Sequence, residues 1–174
     1  MSKKVLPLIA MLIWTPACTY VTKQKKGATI MDVSQEDTLG GTGTSSADVR
    51  SMAERIAREI SSLTWPKDLE NPRIALLHFD NQTRFAFDPN VIKDRLLIDL
   101  VEFSRGGNLR FTENPEGADY ILDARITALS KGSQAGVSDY LLYSFKLRDK
   151  KSDTLVWAFS YETKKQGRTG VMYR

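Results

Sequence analysis

Few residues in this 174-residue chain have side chains suited to chemistry, and they are scattered: one cysteine (Cys18), one histidine (His78), and carboxylates among which Asp123 and Asp139 stand beside alternating apolar positions. A single cysteine excludes an intramolecular disulfide, and Cys18 with His78 cannot supply the ligands of a thiolate zinc site. Catalysis through histidine needs a nucleophile and an orienting partner converging on the ring. His78 lies instead in the apolar run RIALLHFD, residues 73–80, where a structural role is expected. Asp123 and Asp139 are candidates for a paired acid and base. Ordinary surface placement explains each of them as well, so we expect no catalytic residue, no metal and no cofactor.

The position of Cys18 carries more than its reactivity. Residues 1–18 read MSKKVLPLIAMLIWTPAC: two lysines, an apolar run from Val5 to Trp14, and a small residue, Ala17, before the cysteine. The run is too short to span a bilayer and suits the core of an export signal. Ala17-Cys18 resembles a lipobox, in which the thiol receives diacylglycerol and the cysteine becomes the first mature residue. Thr15 and Ala17 also form an ordinary small-x-small cleavage site, which would release a soluble periplasmic protein with a free N-terminal thiol. The lipobox resemblance, with Thr19 rather than aspartate after the cysteine, implies an anchor on the periplasmic face of the outer membrane.

Removing Lys3 and Lys4 with the signal lowers the charge from +4 to +2, 23 basic against 21 acidic residues. That balance gives no phosphate-binding surface, and nucleic acid is not an expected partner. From Cys18 to Thr44 the chain is polar and includes TLGGTGT, too poor in apolar residues for a core. As flexible coil such a tether reaches roughly 30 Å.

Order is expected from Ser45. Val49, Met52, Ala53, Ile56, Ile60 and Leu63 repeat at helical spacing, with Ser45 and Asp48 as a capping pair and Glu54 and Arg58 facing outward. The run 73–80 predicts a buried strand, followed by NQTR as a turn in which Asn81 bonds nearby backbone and Thr83 caps the loop. Asp88 as N-cap and Pro89 at N1 open a second helix through Ile92, Leu96, Leu100 and Phe103, ended by Gly106 and Gly107. Residues 108–112 then give a strand parallel to the first. Beyond them the pattern alternates with period two at Tyr120–Ala128, Leu141–Leu147 and Leu155–Tyr161, an antiparallel meander turning at DKKSD. The predicted fold is α+β: one domain with a mixed β-sheet, β-α-β and then a meander, packed by amphipathic helices. The end, KKQGRTGVMYR, is expected to be a solvated basic tail.

Three local signatures in this order resemble the LpoB family of outer-membrane lipoproteins that activate class A penicillin-binding proteins. They are DNQT (Asp80–Thr83), with Asn81 and Thr83; GADYIL, with Gly117, Ala118 and Asp119; and DTLVW, with Trp157. The resemblance spans roughly residues 46–165 and implies a fold like the N-terminal domain of TolB and the periplasmic domain of CsgG. It also implies a partner, the periplasmic domain of a peptidoglycan synthase. Two features depart from the family: FTENPEGADY crosses directly where members commonly carry one or two helices, and the tether is shorter. The runner-up expectation is a structural lipoprotein of an envelope assembly or secretion complex, with self-association through exposed strand edges.

Overall fold

Ser45 caps the first helix as the sequence predicts. Its hydroxyl accepts the Asp48 N–H (3.3 Å) while the Asp48 carboxylate accepts the Ser45 N–H (2.8 Å), a reciprocal cap that opens helix α1, Ser46–Ser61. Met52, Ala53, Ile56, Ala57 and Ile60 form its buried stripe. The computed structural model describes residues 32, 41–66, 69–134 and 136–167, all in one compact unit. The export segment, Cys18, most of the expected tether, residues 168–174 and the His78 side chain lie outside the described residues.

Strand β1 (Arg73–Gln82) leads into helix α2 (Pro89–Phe103), which Asp88 caps by accepting the Asn90 N–H. Gly106, at φ 84°, supplies the left-handed turn that releases the chain toward strand β2 (Arg110–Thr112). A single 3-10 turn, Pro115–Gly117, then leads directly into β3 (Tyr120–Ser133), β4 (Gly136–Asp149) and β5 (Leu155–Gly167). The five strands lie in the order β2-β1-β3-β4-β5, with β1 parallel to both β2 and β3 and the last three antiparallel. This is the predicted mixed α+β sheet. β1 runs two residues further than expected, since Asn81 and Gln82 still pair with Ile126 and Thr127.

Alternation sorts the sheet into two faces. Ile74 and Leu76 of β1, Tyr120 to Ile126 of β3, and Leu141 to Leu147 of β4 turn their alternate side chains toward the helices and form the core. Each fully buried Leu or Ile there contributes about 2 kcal/mol. The register slips between Leu76 and Phe79, so that Phe79 rejoins the helix side and packs edge-on against Phe145. The opposite face buries only a small cluster, Ala75, Ala118 and Ile121 with Leu77 against it, and no described helix covers it.

Three expectations are corrected by the packing. Asp139, expected at the surface, is fully buried on the helix side, two residues before Leu141 in the same row. Lys164 and Lys165, expected in a solvated tail, belong to β5, where Lys165 pairs with Asp48 and donates to the Gly43 carbonyl (3.0 Å). Thr42 to Thr44, read as tether, are docked: Thr42 is buried, Thr44 hydrogen-bonds the buried Tyr143 hydroxyl (2.8 Å), and a Cβ on Gly43 would stand 3.0 Å from the Phe85 ring.

Candidate interaction surface

The motif residues Asn81 and Thr83 tie one knot at the end of β1. Asn81 Oδ1 accepts from the Thr83 N–H (3.0 Å) and hydroxyl (2.8 Å), and its Nδ2 donates to the Phe85 carbonyl (2.9 Å). Thr83 Oγ1 in turn accepts the Phe85 N–H (3.1 Å). The knot holds Arg84 so that its guanidinium reaches Asp139 (2.7 Å) and stacks 4.8 Å from the Phe85 ring. Burial raises the pKa of Asp139. The nearby Ser130 and Thr42 hydroxyls and Arg84 more than offset burial and hold it below the ordinary carboxylate value. Its Oδ1 makes no hydrogen bond of standard geometry. This is an anchored structural ion pair.

The GAD segment works at the other end of the same strand. Asp119 Oδ2 accepts the Arg73 N–H (2.9 Å), and the Asp119 N–H donates to the Arg73 carbonyl (2.9 Å), locking the start of β1 to β3. Lys150 reaches across from the β4–β5 turn, its N–H to the Asp119 carbonyl and its Nζ to the carbonyls of Pro115 and Glu116. Ala118 is buried, whereas a Cβ on Gly117 would meet only Arg73 Nη1, at 3.7 Å. Trp157 stacks on Phe159 (5.9 Å, 4°) on the helix side of β5. Thus the six motif positions lie at three separate places, and each fixes backbone or packing.

What the motifs position is the bare face of the sheet. Asp123 accepts two hydrogen bonds from the Arg148 guanidinium (2.8 and 3.0 Å), and Arg148 also pairs with Asp153, which stands at φ 55° in the DTLVW turn. Hydrogen bonds that Arg148 donates to the Asp123 and Asp153 carboxylates raise its pKa and keep it charged. Arg125 pairs with Asp80 (3.0 Å) one row away. Between them lies a shallow groove of about 400 Å³, bordered by Asp80, Asp123, Arg125, Ser144, Lys146 and Arg148. Toward the β3–β4 tip, Leu129 is 72% exposed opposite Tyr140, whose pKa is raised by burial and by its hydrogen bond with Glu162.

Asp123 and Asp139 occupy opposite faces of the sheet, so the paired-carboxylate chemistry the sequence allowed is not assembled. His78 belongs to β1, with its side chain outside the described residues. Among the described residues no group of three or more His, Cys, Asp or Glu could hold a metal ion. Nor is any described helix long and apolar enough to cross a membrane.

Several solved structures superpose on part of the chain. The LpoB C-terminal domain from Salmonella enterica superposes with a TM-score of 0.48 at 10% identity, over 67% of this chain and 98% of that one. The LpoB C-terminal domain from Escherichia coli gives 0.46 at 10% identity with the same coverage. A lipoprotein from Neisseria meningitidis gives 0.38 at 12%, over 55% of this chain and 83% of that one. The sequence matches no protein-family profile and no curated relative.

Proposed function

We propose that this chain is an outer-membrane lipoprotein, anchored through Cys18, whose body binds the periplasmic domain of a class A penicillin-binding protein and activates it. Residues 1–17 direct export, the tether starts at Cys18, and the body begins by Thr42, which is buried, with Thr44 hydrogen-bonded to Tyr143. The observation that carries the reading is the bare sheet face, with side chains held in fixed ion pairs before any partner arrives. Groups ordered in advance lose little entropy on docking, so such a face suits recognition. The LpoB-like signatures support the partner: Asp153 of DTLVW is itself a member of that ion-pair network, and Asp119 of GAD sets the β1–β3 register beside it. Activation is then a population shift, in which the domain binds the synthase's active conformation more tightly than its inactive one.

Two measurements test this. Metabolic labelling with a fatty-acid probe should mark the full-length protein and leave Cys18→Ala unmarked; label persisting in the variant would remove the anchor. Crosslinking in the native envelope should recover a class A synthase with the wild type and less with Arg148→Glu, which opposes Asp123 with a like charge. Recovery of other envelope components alone would favour the second reading, an assembly protein. That reading is supported by β5, which ends the described sheet as a thirteen-residue edge strand.

A further inference from the structure

A second groove, of about 600 Å³, opens at the far corner of the bare face, between β1, β2 and the 3-10 turn. It shares no lining residue with the groove of the ion-pair network. Arg73 and Arg110 line it, and they are direct partners in the parallel register of β1 and β2. Partners in a parallel pair point to the same side, and neighbouring strands are about 4.8 Å apart. Ile74 and Phe111, the next residues, pack toward the helix side, so both arginines emerge on the bare face. Two like charges directly opposite each other destabilise a sheet. Among the described residues neither guanidinium takes part in a salt bridge.

The rest of the groove completes an anion cradle. Arg110 Nη1 is anchored on the carbonyls of Gly107 (3.1 Å) and Leu109 (3.0 Å), which fixes the fork; among the described residues its Nε and Nη2 edge takes no hydrogen-bond partner. Thr112 Oγ1 accepts the Asn114 N–H (3.0 Å), so its own hydroxyl hydrogen is directed elsewhere. Gly117, with no side chain beside Arg73 Nη1, leaves the second guanidinium open to the groove. Among the described residues Glu70 is the one carboxylate that lines the groove; Glu113 pairs with Lys93 (3.1 Å), and the Asp119 carboxylate accepts the Arg73 N–H.

We propose that this corner is a binding site for an oxyanion, a phosphoryl or carboxylate group carried on a small polar ligand, gripped between the guanidinium groups of Arg73 and Arg110. A planar or tetrahedral oxyanion accepts from two arginine forks at once and removes the repulsion between them. The groove is large enough for more than the anion itself, within the range of small-molecule sites.

The test uses the full chain in neutral detergent micelles, at low salt, followed by NMR of the arginine Nε–H groups. Separate arms add sodium pyrophosphate, inorganic phosphate, acetate, or phosphatidylglycerol mixed into the micelle. Saturable shifts at Arg73 and Arg110 in any arm are expected, with affinity falling about tenfold or more in Arg73→Gln and in Arg110→Gln. Lys131→Gln, at the distant β3–β4 tip, should leave the affinity unchanged. The responding arm identifies the source as free anion or lipid headgroup. A further readout separates binding from folding: without ligand, Arg73→Gln should be at least as heat-stable as wild type, because one of two opposed charges is gone. No saturable shift up to about 10 mM, a weak-binding limit, or equal weakening by Lys131→Gln, overturns the site.

Discussion

Replacing Arg84 with alanine isolates the cost of a buried charge left alone. Asp139 is fully buried, whereas the Arg84 side chain is half exposed, with 52% of its surface accessible. Removing one member of a fully buried pair costs 3–5 kcal/mol in general, about; the half-exposed partner and the two hydroxyls beside Asp139 reduce that here to about 2 kcal/mol. For a body of this size the loss lowers the melting temperature by about 8 °C. The pH dependence gives the sharper check. Asp139 has a depressed pKa in the folded state, so its pair contributes stability above the ordinary value of 3.8 and loses it as pH falls through the lower, folded value. Thermal unfolding of wild type and Arg84→Ala from pH 7 down to about pH 3 should show the full gap at neutral pH, closing on acidification. A gap that is absent at pH 7, or constant throughout, would refute the assignment of Asp139 as a buried, ionised partner.

Four other substitutions have defined outcomes. Asn81→Ala removes the donor to Phe85 and both acceptor contacts with Thr83, and urea unfolding should show a loss of about 2 kcal/mol. Asp119→Ala should cost about 1 kcal/mol and speed hydrogen exchange at the Arg73 amide selectively, since that N–H loses its acceptor. On α2, Leu96→Ala should cost about 3 kcal/mol. Ile98→Ala, on a side chain 58% exposed, should change stability by less than about 0.5 kcal/mol.

The regular elements were legible because each follows a local rule. The Ser45–Asp48 box, Asp88 before Pro89, and the alternation through Leu141–Leu147 are read from adjacent residues, and all appear as expected. Asp139 differs from the expectation because its parity outweighs its polarity: two residues before Leu141, it shares the buried row, and Arg84, 55 residues earlier, with the Ser130 and Thr42 hydroxyls makes that tolerable. Lys165 misled in the same way, since its alternation with Tyr161 and Thr163 continues the strand and its long stem carries the amine back to Asp48. The Arg73–Arg110 groove is invisible in sequence because the two residues become neighbours only through the β1–β2 register. α2 likewise carries exposed Val91, Ile98 and Val101 opposite its buried stripe, which blurs the amphipathic signal its core face would otherwise give.

The most direct test of the account is the rate of glycan-strand polymerisation by the class A synthase from the same envelope, reconstituted with the full-length lipidated chain. A saturable, several-fold rise with wild type, reduced by Arg148→Glu at equal folded concentration, is the predicted result. An unchanged rate at saturating protein, with the synthase active on its own, would contradict it.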